Sequence, residues 1–299
     1  MVATDIIIDC DPGIDDALAL ALAVASPELR LRAVTCVAGN RPVGITQQNA
    51  RGLLDLFGAT TVPAYAGAAR PLTRATARVN LVHGEDGLGG VAIDRTGPVP
   101  DGHASDVLAQ ALLADTGTDL IVAAIGPLTN LALVEIKHPG ALARARTVAI
   151  MGGAIDRPGN VTPYGEFNFW ADPLAAQIVA QSGAKLAVFP LDVTAQAVMT
   201  PAWLRRLAAG PSKSERALSA MLRVYGEQDP LLHDPCPIAY LVDPSLFGGE
   251  TGDLQVEWRL EAEEGRCRFR RETSATTVFF NTNQEKLLEV IAARLATLP

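Results

Sequence analysis

Residues Ile6 to Leu22 constrain this chain more than any other stretch. Ile6-Ile7-Ile8 reads as a buried strand, Pro12-Gly13 breaks it, and Ala17-Leu18-Ala19-Leu20-Ala21-Leu22 reads as a buried helix starting beside Asp15. Between strand and helix, Asp9, Asp11, Asp15 and Asp16 place four carboxylates in eight residues, and no basic residue occurs before Arg30. Side chains two apart on a strand share a face, so Asp9 and Asp11 are expected to point together, with Asp15 and Asp16 at the helix N-terminus. Two carboxylates about 6 Å apart repel by roughly 3 kcal/mol at an effective dielectric of about 20, and a helix N-terminus returns only about 0.3–1 kcal/mol per acid. A hard divalent cation, Ca²⁺ or Mg²⁺, offsets that imbalance, because the ligands on offer are oxygens. Any one of these Asp residues could be an ordinary cap or solvated turn residue; four together are harder to dismiss.

Beyond this turn, apolar β-rich runs alternate with Ala/Leu-rich helical stretches. That pattern predicts an α/β fold with an open, mostly parallel, doubly wound (Rossmann-like) sheet covered by helices on both faces. Strands are expected at Leu31 to Val37, Val62 to Tyr65, Asp119 to Ala124, Thr147 to Ile150 and Leu186 to Phe189. Helices are expected at Val43 to Phe57 and Asp106 to Ala114, and as a pair from Pro201 to Glu227 split by Gly210-Pro211. From Leu254 to Phe280 alternating residues and the turn Glu263-Glu264-Gly265 indicate a small antiparallel element, closed by a helix from Gln284 to Leu298. Arg266, Arg268 and Arg270 at alternate positions suit a solvated or subunit-facing edge strand. With no repeat or linker-like shift in composition, residues 1–299 read as one domain whose 48% hydrophobic content is ample for a large core.

Composition also excludes partners. A net charge of −8 and no run of interleaved basic and aromatic residues argue against nucleic acid. The longest apolar run, Ala17 to Ala25, is about half of a bilayer crossing, and no leader precedes the first strand, so a cytoplasmic protein without membrane contact is expected. Cys10, Cys36, Cys236 and Cys267 form no CxxC pair and are expected to be reduced, buried thiols.

Residues just past a strand's carboxyl end line the ligand crevice of such a sheet, which marks Asn40. The loop His83-Gly84-Glu85-Asp86-Gly87-Leu88-Gly89-Gly90 is permissive, but its acids disfavour a phosphate cradle. About twenty residues without regular structure after Met151 are expected to be functional, and they carry Asn160, Glu166, Phe167 and Asn168, groups suited to a sugar.

Four of these motifs, in order, carry a resemblance. Asp9-Cys10-Asp11-Pro12-Gly13-Ile14-Asp15-Asp16-Ala17 resembles the N-terminal motif of the inosine/uridine-preferring nucleoside hydrolases, which cleave the N-glycosidic bond of ribonucleosides with a bound calcium. The loop from His83 is similar to the family's HGxDGLG, Glu166-Phe167-Asn168 with Ala171-Asp172-Pro173 to EFN…DP, and His233-Asp234-Pro235 through Tyr240 to HDPxAxAY. The match spans roughly residues 5 to 245 and thins over the basic strand Gly265 to Arg271. It implies Ca²⁺ bound by Asp11, Asp16, Asp234 and the Ile125 carbonyl, leaving room for a water and two ribose hydroxyls among the usual 6–8 oxygens. It further implies a metal-bound water as nucleophile, Asp11 as its base, Asp15 on the 2′-hydroxyl, and Asn160, Glu166 and Asn168 on the ribose. Asn40 matches a family Asn, Met151 and Phe167 join the substrate side, and His83 lies near the scissile bond. His233 is then the acid for the departing base, and the helices from Pro201 to Glu227 cap that base, with Met221 and Tyr225 either facing it or packing in the core. Ile125 stands where a well-known member has Thr, a change that a backbone ligand tolerates. Purine against pyrimidine preference stays open, because the capping segment is the least family-like part. The resemblance also implies a small-molecule ribonucleoside substrate, nucleoside salvage and a homo-oligomer, dimer or tetramer.

Two rivals stand beside this reading. Asp9-x-Asp11 at a strand end also suits a haloacid-dehalogenase-like phosphatase, although those carry Thr or Val where Gly13 stands. A non-catalytic nucleoside-binding relative is the other, disfavoured by the presence of both His83 and His233.

Overall fold

The computed structural model describes residues 3–94, 97, 100–114 and 119–299. Among them, nine strands form one sheet in the order β3-β2-β1-β4-β5-β6-β9-β7-β8. They are β1 (Thr4–Cys10), β2 (Leu29–Cys36), β3 (Ala64–Ala66), β4 (Ile121–Ala124), β5 (Thr147–Met151), β6 (Leu186–Phe189), β7 (Phe247–Val256), β8 (Cys267–Arg271) and β9 (Thr277–Thr282). β1 to β6 pair in parallel, β9 continues parallel beside β6, and β7 runs antiparallel to both β9 and β8. The expected fold class is therefore found, including its antiparallel C-terminal element.

The helices are α1 (Ile14–Ala25), α2 (Val43–Leu56), α3 (Ala104–Leu113), α4 (Thr129–Lys137), α5 (Phe167–Ala171) and α6 (Pro173–Ala180). They continue with α7 (Leu191–Thr194), α8 (Pro201–Ala208), α9 (Lys213–Tyr225), α10 (Pro235–Val242) and α11 (Gln284–Leu295). Period-2 alternation in β1 explains the double winding. Ile6 and Ile8 pack with Leu18, Leu53, Leu222, Ile238 and Ile291 on one face, while Ile7 packs with Leu108, Leu131 and Val179 on the other. Each such fully buried side chain contributes about 1.5–3 kcal/mol, so neither face could be left bare. No helix among the described residues is long and apolar enough to cross a membrane.

Three differences from expectation have local causes. The short strand sits at Ala64–Ala66 rather than Val62 to Tyr65, because Val34, Thr35 and Cys36 set its register. Phe167 and Asn168 are not in irregular chain but on α5, whose first N–H groups are satisfied by the Glu166 carboxylate, a cap that five residues of periodicity could not announce. α10 was not anticipated within the motif from His233, and Pro235 and Pro237 both lie in its first turn, where a missing N–H costs nothing. The break at Gly210-Pro211 does separate α8 from α9, and Ser212 with Glu215 forms a reciprocal cap on α9. β8 is the sheet's outer edge, and Arg268 there pairs with Glu257 and Glu263.

Strand order reverses between β1 and β4, since β2 and β3 lie to one side and β5 and β6 to the other. The crevice at the carboxyl ends of those two strands is where such sheets bind ligands, and β1 ends in the Asp-rich turn.

Candidate active site

Asp16 closes the turn after β1. Its Oδ2 accepts from the Gly13 N–H at 2.8 Å and its Oδ1 from the Asp11 N–H at 3.3 Å. Asn40, just past β2, locks the same turn: its N–H donates to Asp11 Oδ2 at 2.6 Å, and its Nδ2 donates to the Asp11 carbonyl and to Asp16 Oδ2, both at 3.2 Å. The Asp11 carboxylate lies against Gly39 and Gly126, where any Cβ would overlap it. Asp9 does not point with Asp11, contrary to the period-2 expectation. It lies beneath the turn, accepting from Thr35 Oγ1 at 2.6 Å and Asn130 Nδ2 at 2.9 Å. β1 ends at Cys10, so Asp11 is beyond the strand and the alternation no longer applies. Asp9, held there, does not reach the cavity, which leaves the phosphatase reading without its nucleophile.

Asp15, Asp16 and Asp234 each bring a carboxylate oxygen to within 4.8 Å of the others, all buried. Two helix N-termini meet here, because Asp15 and Asp16 open α1 and Asp234 precedes α10. Their dipoles offset only about 0.3–1 kcal/mol per acid. Burial, and after it the neighbouring carboxylates, therefore push Asp11 and Asp234 well up and Asp16 up to about 7. Asp15 Oδ1 is buried with no hydrogen-bond partner. An orphaned oxygen inside an all-oxygen cluster fits a hard cation. Compared with the expected set, Asp16 and Asp234 are shared, and the third carboxylate that meets them within 4.8 Å is Asp15 rather than Asp11. The Ile125 carbonyl, at the end of β4, accepts from Asn168 Nδ2 at 3.0 Å, which leaves one of its two lone pairs.

A cavity of about 260 Å³ opens above this cluster. Every expected catalytic and substrate residue lines it (Asp11, Asp15, Asn40, His83, Met151, Asn160, Glu166, Phe167, Asn168, Tyr225 and His233), as do the expected ligands Ile125 and Asp234. Asp16 lies just behind, buried. Glu166 is held by the N–H groups of Gly153 (2.9 Å), Asn168 (3.0 Å) and Phe169 (3.3 Å). Burial pushes its carboxyl up while those three donors pull the other way. Asn160 is exposed at the rim, with its Oδ1 accepting from the Phe167 N–H at 3.0 Å. Of the two residues read as facing the base or packing in the core, Tyr225 reaches the cavity, whereas Met221 is fully buried in the core with Leu218 and Leu222.

The two histidines differ in state. His83 Nδ1 accepts from the Ile14 N–H at 3.1 Å, so its proton is on Nε2, which lies 3.9 Å from Asp15 Oδ1. Burial lowers its pKa, and the neutral ring stacks on Tyr225 with centroids 5.2 Å apart. Burial also opposes charge on His233, but the Asp229 carboxylate, with Asp15 and Glu166, more than offsets it, and its pKa is raised. Asn80, Val82, Val161, Gln228 and Asp229 complete the wall and were missed. They sit in connections with no motif or periodicity to single them out.

The comparisons agree with this geometry. The sequence profile described as inosine-uridine preferring nucleoside hydrolase matches residues 6–291, further than the 5 to 245 over which the motifs could be followed. The chain is 35% identical to the pyrimidine-specific ribonucleoside hydrolase RihA of Photobacterium profundum, over 97% of this chain and 98% of that one. Its fold superposes on a purine-preferring ribonucleoside hydrolase from Gardnerella vaginalis with a TM-score of 0.92 and 29% identity, covering 98% of each chain. For a plant nucleoside hydrolase the TM-score is 0.89 at 30% identity, covering 99% of this chain and 100% of that one. The chain belongs to the inosine-uridine preferring nucleoside hydrolase family and is an N-glycosidase of ribonucleosides.

Proposed function

We propose that the protein hydrolyses the N-glycosidic bond of ribonucleosides to ribose and free base with Ca²⁺ bound at the Asp15, Asp16 and Asp234 cluster, Asp11 and the Ile125 carbonyl alongside. The observation that carries this reading is the convergence, at one cavity, of buried carboxylates, the Glu166, Asn160 and Asn168 side chains, and two histidines, His83 and His233. Such a cation supplies positive charge that makes a nearby water more acidic.

Asp11, fixed by the Asn40 N–H and confined by Gly39 and Gly126, accepts the proton of the attacking water as its oxygen bonds to C1′. Asp15, Asn160, Glu166 and Asn168 bind ribose hydroxyls, and Phe167, Met151 and Asn40 shape the sugar pocket. The C1′–N bond breaks, and the departing base takes a proton from His233. His83 is neutral, with Nδ1 occupied by a backbone N–H, so it orients substrate through its Nε2–H rather than acting as the acid. The surrounding negative field suits an oxocarbenium-like transition state better than a neutral nucleoside, which is the differential binding that catalysis needs.

Uridine and cytidine are the substrates to try first, since the Photobacterium relative is named pyrimidine-specific, with inosine as the purine comparison. Treatment with EDTA should abolish turnover and lower Tm, and Ca²⁺ should restore both. An ion at about 100 times its Kd stabilises the fold by about 2.7 kcal/mol. Full activity in a preparation shown to be metal-free would overturn the cation's role.

A further inference from the structure

His233 is gripped at both ring nitrogens. Thr194 Oγ1 meets Nδ1 at 2.8 Å, and Asp229 Oδ2 meets Nε2 at 3.2 Å. Thr194, at the end of α7, is fully buried and outside the cavity wall, whereas Asp229 lines the cavity. Nε2 is therefore the nitrogen on the cavity side. One backbone feature sets both partners. An antiparallel bridge pairs Val198 with Leu231, flanked by Leu232 N–H to Ala197 O and Met199 N–H to Pro230 O, each 2.8 Å. It lays the segment after α9 along the chain that follows α7. The Leu231 N–H then donates to Asp229 Oδ1 at 3.1 Å, aiming Oδ2 at the imidazole. Sequence proximity alone could not do this, because residues 229–233 are not helical and a four-residue spacing there implies no shared face.

We infer that Asp229 is a positioning residue for the reaction: by accepting from His233 Nε2–H it holds that N–H at the cavity, where a departing nucleobase takes the proton from the imidazolium and leaves a neutral ring whose remaining proton is on Nδ1, against Thr194. This rests on His233 as the leaving-group acid. In the Ser-His-Asp arrangement the carboxylate bonds the nitrogen opposite the reacting one; Asp229 instead bonds the cavity-side nitrogen itself, so it sets the ring's angle and yields that hydrogen bond to the departing base. With Asn at 229, Oδ1 stays on the Leu231 N–H and an NH₂ faces Nε2, so the proton moves to the Thr194 side.

The test compares two leaving groups. Uridine and inosine release a base that needs a proton, while p-nitrophenyl riboside releases an anion that does not. Asp229→Asn should lose roughly 10–100-fold in kcat on the nucleosides, a share of the about 10²–10⁴ that general acids contribute, with KM little changed. Its loss on p-nitrophenyl riboside should be much smaller. Combined with His233→Ala, it should add nothing on nucleosides beyond the single His233→Ala loss. Asp229→Ala repeats the experiment should the Asn variant lower Tm. Equal losses on both substrates, no loss on nucleosides, or losses that multiply in the double variant would each overturn the inference. The two failures are separable. Should His233→Ala itself lose both substrates equally, the acid assignment falls and takes the role of Asp229 with it. If His233→Ala is selective but Asp229→Asn is silent, only the inference about Asp229 falls.

Discussion

The two ends of the cavity are built differently. The part proposed to hold the sugar hangs on the carboxyl edge of the sheet: Asp11 and Asp15 follow β1, with Asp16 just behind them, Asn40 follows β2, Ile125 follows β4 and Met151 ends β5. The rest of the wall, proposed to face the base, is assembled mostly from connections, with Asn80, Val82 and His83 from one loop, Tyr225 from the end of α9, and Gln228, Asp229 and His233 from the segment between α9 and α10. A side chain at a strand end inherits its position from the sheet, so small changes there displace chemistry directly. One in a connection owes its position to contacts made by distant chain, as Asp229 does to the bridge between Val198 and Leu231 and to the Leu231 N–H. The sugar end should therefore be intolerant and indifferent to leaving group, and the base end selective.

Asp11→Ala should show the largest effect, a loss of about 10⁴-fold or more at the upper end of general-base contributions, on nucleosides and p-nitrophenyl riboside alike. A variant that spared either substrate would break the contrast, because water activation serves every leaving group. Next is 2′-deoxyuridine against uridine. Groups aligned for a hydroxyl are left unpaired when it is missing, and discrimination can approach about 10⁴-fold in kcat/KM. Equal kcat/KM for the two would mean that Asp15, Asn160, Glu166 and Asn168 do not read the sugar. Gly126→Ala comes third. The new methyl overlaps the Asp11 carboxylate, and a displacement of about 1 Å can cost about 10²-fold while leaving the circular dichroism spectrum unchanged. Activity near wild type would show that the edge can yield.

The smallest change in activity is expected at Met221→Ala. Met221 shares α9 with Tyr225 but packs entirely in the core, so truncation should cost about 2–5 kcal/mol of stability and leave kcat/KM nearly unchanged below the melting transition. Urea unfolding with parallel kinetics checks it. A changed ratio of uridine to inosine turnover would place Met221 in base recognition after all.

Legibility followed the same division. Ile6-Ile7-Ile8, the Pro12-Gly13 break and the Ala/Leu run after Asp16 specify strand, turn and helix through local periodicity and backbone restriction alone. Asn40 followed from the rule that strand ends line the crevice, whereas Ile125 and Met151 came with the family resemblance. The position of Asp9 did not, because alternation holds only inside a strand and β1 stops at Cys10. α10 was not anticipated, because nothing in the motif from His233 shows that Pro235 and Pro237 fall in a first helical turn.

The sequence by itself determined the fold class, the acidic turn and the four motifs that carry the family resemblance, since each is written in residues close together and needs only short-range physics. Only the tertiary structure decided which carboxylates share one ligand cluster, which ring nitrogen of His233 faces the cavity, and that Asp229 rather than Met221 belongs to its wall. Those outcomes depend on packing between elements far apart in the chain, where a bridge such as Val198 to Leu231 fixes orientation and no periodicity encodes the partner.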